Sequence, residues 1–68
     1  MKFIVRLNYP YSDLIQKDLL NKDYEVVFND KILHDLIIVE KSNGSIEELK
    51  KMEYVKSAKK ERQFHAFV

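Results

Sequence analysis

Residues 36–50, LIIVEKSNGSIEELK, carry the signals that decide the fold of this chain. The segment Leu36–Glu40 is almost entirely apolar and rich in β-branched side chains, which is typical of a central strand. A turn follows at Gly44, the only glycine of the chain. Ser45 and Glu48 have the spacing of a capping box, in which each side chain caps a backbone N–H at the start of a helix. The stretch therefore predicts a strand, a turn and a helix in succession.

The rest of the chain adds three strands and one helix. Side chains alternate along Lys2–Leu7 in the pattern of a half-buried strand, and Ser12 is suited to capping a helix. Strands are expected at residues 2–7, 24–28, 36–40 and 55–58, and helices over residues 12–21 and 45–52. This β-α-β-β-α-β order predicts an α+β, ferredoxin-like fold, a four-stranded antiparallel sheet with two helices on one face.

The second face of such a sheet stays open, and it is a candidate surface for docking a partner. The alternation in the first strand assigns its odd-numbered residues to the helices. Ile4, Ile37 and Val39 are then expected on the open face, as contacts for the partner.

Composition restricts the classes of partner. The 68 residues fit one domain, and 12 Lys and Arg nearly balance 11 Asp and Glu. Proteins that bind phosphate backbones are usually more basic. Nucleic acid is therefore the alternative partner, bound through the open face and the lysines of the C-terminal half. No apolar run approaches the roughly 18 residues of a membrane span, which argues against a membrane.

The residues give no indication of catalysis by this chain. Cysteine is absent, so disulfides and thiolate metal sites are excluded. One glycine cannot build a phosphate-binding loop, and no serine lies in a catalytic signature. We expect no cofactor and no metal, and no enzyme activity of the chain by itself.

The C-terminus is the most informative segment. Its last five residues are Phe64, His65, Ala66, Phe67 and Val68. An apolar end either folds back to complete the core or docks elsewhere. The functional interpretation is an extended peptide that enters the groove of another protein by β-augmentation.

Three segments resemble the propeptides of subtilisin-like serine proteases, of the inhibitor I9 type. Residues 2–5 (KFIV) are similar to the opening strand of that family, which is of the KYIVGF kind. Residues 48–51 (ELKK) are similar to the end of its second helix, and residues 55–67 to its last strand and tail. The spacing from Leu49 to Phe67 matches the family without a gap.

The resemblance implies a prodomain that is chaperone and inhibitor of its protease. The open sheet face would pack on two surface helices of the protease, and the tail would lie in the substrate cleft. Residues 1–63 would form the domain and residues 64–68 the tail. Phe67 would fill the primary specificity pocket and Phe64 the fourth pocket. If Val68 is the cleaved end, Val68 and His65 take these two roles.

The sequence departs from the family in its last strand. The family carries an acidic pair there, which caps the N-termini of the two protease helices. Lys59 and Lys60 occupy those positions here, so Glu53 or Glu61 is expected to take the capping role. The lack of a signal sequence favours an intracellular or spore-type protease, or a stand-alone inhibitor.

Overall fold

In a computed structural model the described part of the chain, residues 1–61, forms one four-stranded sheet and two helices. The sheet order is β2-β3-β1-β4, and every neighbouring pair is antiparallel. The predicted ferredoxin-like α+β fold is confirmed. No described helix has the length and apolar character needed to cross a membrane. The elements are β1 (Lys2–Leu7), α1 (Asp13–Asn21), β2 (Glu25–Asn29), β3 (Leu36–Glu40), α2 (Ile46–Lys50) and β4 (Val55–Lys60).

The core lies between the two helices and one face of the sheet. Ile15 and Leu19 enter it from α1, and Leu49 enters it from α2. The odd-numbered residues of β1 face the helices as expected, because Phe3, Val5 and Leu7 are at most 2% exposed.

Ile37 and Val39 are not on the open face, so this part of the prediction is wrong. Val39 pairs with Phe3 and Ile37 with Val5 across the β1–β3 ladder. Residues that are directly opposite on neighbouring strands point to the same side of a sheet. Both side chains are accordingly buried beneath the helices, with no exposed surface. The open face carries the even-numbered residues of β3 instead.

The predicted capping box at α2 forms only in part. The Ser45 hydroxyl accepts a hydrogen bond from the backbone N–H of Glu48 at 3.1 Å, which caps the helix. The Glu48 carboxylate does not accept a hydrogen bond from the Ser45 backbone N–H, which donates to the Tyr24 hydroxyl instead. It accepts a hydrogen bond of 2.6 Å from the Tyr24 hydroxyl and pairs with the Lys41 ammonium at 3.2 Å. The carboxylate thus joins α2 to the start of β2.

Two tyrosines connect the helices to the sheet, each by a hydrogen bond from its hydroxyl to a carboxylate of a helix. Tyr24 precedes β2 and donates to Glu48 of α2, while Tyr54 precedes β4 and donates to Asp18 of α1 at 2.5 Å. Burial, and then the hydrogen bond to Glu48, raises the pKa of Tyr24 to about 12. Burial and the bond to Asp18 likewise raise the pKa of Tyr54. The hydrogen bond from Lys22, and then the one from Tyr54, holds the pKa of Asp18 below its usual value.

These tyrosines predict a loss of stability in alkali. An unfolded tyrosine ionises near pH 10, whereas folded Tyr24 keeps its proton up to about pH 12. The unfolded chain therefore loses protons first, and the free energy of unfolding falls as the pH rises through this interval. We expect Tyr24 to account for a fall of about 2 kcal/mol.

Urea denaturation of wild type and Tyr24→Phe at several pH values tests this expectation. The two chains differ only at residue 24, so the difference between their curves isolates Tyr24. Identical pH dependence of the two chains would contradict the prediction.

Candidate functional site

The open face of the sheet is the candidate site. It consists of the strand residues that point away from the two helices. The ladders place Ile4 opposite Ile38, Arg6 opposite Leu36, and Lys2 opposite Glu40. We call the following set the open face: Lys2, Ile4, Arg6, Glu25, Phe28, Leu36, Ile38, Glu40, Ser57 and Lys59.

An irregularity in β2 brings an aromatic side chain onto this face. The register shifts between Val26 and Phe28, so that Val26 pairs with Val39 and Phe28 with Ile38. Such a bulge puts one extra residue into the strand and changes which side chains share a face. Phe28 therefore joins the open face with 47% of its surface exposed.

Four side chains form a continuous apolar band on the open face. Phe28, Ile38 and Ile4 lie in one row across β2, β3 and β1, and Leu36 lies beside Ile38 one step along β3. A shallow depression next to the band is lined by Ile4, Arg6, Leu36, Ser57, Ala58 and Lys59. No element of the described chain covers the band, and uncovered apolar patches of this kind mark interaction surfaces.

Charged residues surround the band, and Glu61, whose N–H donates to the Lys2 carbonyl, adds a carboxylate on the β1–β4 side. Glu25 and Glu40 lie on the β2–β3 half of the open face, and Lys2, Arg6 and Lys59 lie on the β1–β4 half. The Arg6 guanidinium is 3.2 Å from the Asp35 carboxylate, which precedes β3. Lys2 and Lys59 form no ion pair within residues 1–61, so they are available to an outside carboxylate.

The described part of the open face has no group of residues typical of a metal site and no aromatic side chain on its central strands. Within residues 1–61, no group of three or more His, Asp or Glu is placed to hold a metal ion. Sheets that bind single-stranded RNA stack bases on aromatic side chains. The central strands here present Ile4 and Ile38 at that position, and the one aromatic residue, Phe28, is on the edge strand.

The two candidate capping acids are not brought together. Glu53 is exposed in the connection before β4, and its carbonyl accepts a hydrogen bond of 3.1 Å from the Asn8 side chain. Glu61 follows β4, and its N–H donates to the Lys2 carbonyl at 2.9 Å. A strand of this length separates them by about 20 Å. They are too far apart to act as an adjacent pair of acids, so each would contact a partner separately.

The tail residues of the sequence-based site, Phe64, His65, Ala66, Phe67 and Val68, lie outside the described residues. The boundary that was expected between residues 63 and 64 lies outside them as well. The structure adds three side chains that the sequence did not single out, namely Phe28, Leu36 and Ile38. The register shift in β2 is the reason that Phe28 was missed.

Comparison with known proteins identifies no relative of the chain. No protein-family model matches it, and neither a curated protein nor a solved structure is significantly similar to it.

Proposed function

We propose that this chain is the prodomain of a subtilisin-like serine protease and serves as its intramolecular chaperone and inhibitor. The open face docks on the surface of the protease, and residues 64–68 occupy the substrate cleft. The observation that carries the proposal is the uncovered apolar band of Ile4, Phe28, Leu36 and Ile38 with its charged rim. A chaperone needs a preformed surface of this kind, on which its client orders.

The composition of the open face supports docking on a protein. Specific interfaces have an apolar centre and a polar rim, and aromatic residues are enriched in them. The band supplies the centre, and Lys2, Lys59 and Glu40 supply the rim. Burial of one large apolar side chain is worth about 1.5–3 kcal/mol, so the band is able to supply most of the docking energy.

The position of β4 supports the proposed role of the tail. β4 is an edge strand, and the last described residue, Glu61, is bonded to the Lys2 carbonyl beside the open face. The sequence that follows ends in Phe64-His65-Ala66-Phe67-Val68. An extended segment in a cleft gains affinity from its backbone hydrogen bonds, and pockets for alternate side chains supply selectivity. Phe67 and Phe64 are three residues apart, as the resemblance to the propeptides requires.

Binding of single-stranded nucleic acid is the alternative function, and a salt titration distinguishes it. Lys2, Arg6 and Lys59 on one half of the open face favour it, but aliphatic side chains occupy the centre. Affinity for a nucleic acid falls steeply with salt because counterions are released. Docking of the apolar band on a protease depends only weakly on salt.

Substitution of Phe67 tests the proposed function. Phe67→Ala is expected to weaken inhibition of a matching protease by about 10- to 150-fold, because it removes about 1.5–3 kcal/mol of side-chain burial. The measurement is the inhibition constant of each variant against a panel of subtilisin-like proteases. Val68→Ala is the matched control, and a larger effect of Val68→Ala would assign the primary pocket to Val68.

Circular dichroism of both variants serves as the folding control for this experiment. Both substitutions lie beyond β4, so we expect wild-type spectra. Wild type that inhibits no protease of the panel would refute the proposal. A Phe67→Ala variant that unfolds yet still inhibits as well as wild type would also refute it.

A further inference from the structure

We propose that in the free chain residues 62–68 fold back over the open face and cover the apolar band until a partner displaces them. The band consists of Ile4, Phe28, Leu36 and Ile38, and no element of the described chain lies on it. The covering segment, RQFHAFV, contains two phenylalanines and ends in valine. An apolar segment and an uncovered apolar surface both lose contact with water when they meet, which is favourable.

The covering segment starts at a corner of the open face. The Glu61 N–H donates to the Lys2 carbonyl at 2.9 Å, so the β1–β4 ladder extends to the last described residue. Glu61 is therefore opposite Lys2 in the outermost row of the face, and the row that contains Ile4 and Ile38 comes next. A chain that turns inward after Glu61 meets the band at once.

The length of the segment matches the width of the band. From Glu61, Ile4 is one strand and two residues away, or about 8 Å, and Phe28 is three strands and two residues away, or about 16 Å. An extended chain advances about 3.3 Å per residue, so Phe64 is within about 10 Å of Glu61 and Phe67 within about 20 Å. Phe64 can therefore contact Ile4, and Phe67 can reach Phe28 at the far edge.

The covalent link makes a small contact sufficient. Because residues 62–68 are attached to Glu61, they meet the open face at an effective concentration on the order of millimolar. A contact that is too weak to hold two separate molecules together is populated under these conditions. The cover remains displaceable, because a partner that binds both the open face and the tail offers each of them more contact than they offer each other.

The charges at this corner also suit the segment. Glu25 and Glu40 are directly opposite each other on β2 and β3, and neither forms an ion pair within residues 1–61. Like charges that face each other across a ladder are unfavourable. Arg62 directly follows Glu61, so a chain that turns across the face brings a guanidinium toward the two carboxylates.

Spin labelling of the full chain tests the fold-back. The chain has no cysteine, so Ala66→Cys attaches a nitroxide at one position and keeps both phenylalanines. The nitroxide broadens the NMR signals of nearby methyl groups, and its effect falls steeply with distance. We expect the methyl signals of Ile38, on the open face, to be lost.

Leu20 is the matched reference for this measurement. It is 52% exposed near the end of α1, on the opposite side of the sheet from the open face. The chain passes from α1 to Glu25, which lies in the same outermost row as Glu61, so Leu20 is at the same end of the sheet as the tail. Its methyl signals are expected to persist.

Two tail variants of the labelled chain separate apolar contact from mere proximity. Phe64→Ser combined with Phe67→Ser removes both rings, and we expect the Ile38 signals to return. His65→Ser keeps both rings and is expected to leave them broadened. Each substitution lies beyond β4, and unchanged signals of buried Val39 confirm that the sheet is intact.

Three results would overturn this inference. The first is equal broadening of Ile38 and Leu20, because the tail would then favour neither side of the sheet. The second is broadening of Ile38 that survives the double serine variant. The third is the same broadening in a cysteine-free, isotope-labelled chain mixed with the spin-labelled chain, which would assign the contact to a second copy. No protease takes part in these measurements, so the fold-back and the proposed function stand or fail separately.

Discussion

Replacement of Ile37 by lysine is expected to unfold the domain, whereas the same replacement at Ile38 is expected to leave it folded. Ile37 has no exposed surface and lies against Val5 in the core. Truncation of a buried isoleucine costs about 2–5 kcal/mol, and the buried ammonium adds a further penalty because no carboxylate of the described chain is buried beside it. A domain of this size rarely has more than about 3–5 kcal/mol of stability.

Ile38 differs from Ile37 only in the face to which it points. It is partly exposed on the open face, where the lysine ammonium reaches water and its stem covers neighbouring apolar surface. We expect the loss of stability at Ile38 to be about 1 kcal/mol or less. Because the two residues are neighbours in one strand, a difference between them does not reflect strand propensity.

Circular dichroism and urea denaturation of both variants decide this prediction. Ile37→Lys is expected to show no cooperative transition at 25 °C, and Ile38→Lys a transition close to that of wild type. Equal losses of stability in the two variants would mean that the two faces of β3 are assigned wrongly.

The same pair of residues shows why the sequence predicted the fold but not the site. The order of strands and helices follows from local signals, such as the alternation in β1 and the cap at Ser45. β3 has no alternation, because its first four residues are all apolar. Its pairing with β1 determines which of its side chains face the helices. A shift of this pairing by one residue moves every side chain to the other face. The local sequence does not report the register of this pairing, so it could not distinguish which of Ile37 and Ile38 faces the helices.

The contacts of the Glu48 carboxylate could not be predicted from the sequence for a related reason. A capping box is recognised from a spacing of three residues, and the Ser45 half of it is confirmed. The partner that binds the carboxylate, Tyr24, is 24 residues away in the sequence. Contacts between distant segments depend on the packing of α2 against the start of β2, which a local pattern does not report.

Tyr24 is the second position at which a single substitution is expected to have a large effect. Its side chain is fully buried, and its ring packs edge-on to Phe3 with 6.3 Å between the ring centroids. Its hydroxyl also accepts a hydrogen bond of 3.2 Å from the Ser45 N–H. A Cβ at Gly44 would lie 2.9 Å from both aromatic side chains, so only glycine fits against this corner without displacement.

Tyr24→Ala is therefore expected to cost about 3–5 kcal/mol, as do other truncations of large buried aromatic residues. Tyr24→Phe keeps the ring and removes only the hydroxyl, and it is expected to cost about 1 kcal/mol because the Glu48 carboxylate is half exposed and regains water. Urea denaturation at neutral pH measures both values. We expect a largely unfolded Tyr24→Ala chain and a cooperative transition for Tyr24→Phe. If the two variants lost equal stability, the hydroxyl network and not the packing of the ring would hold α2 against the sheet.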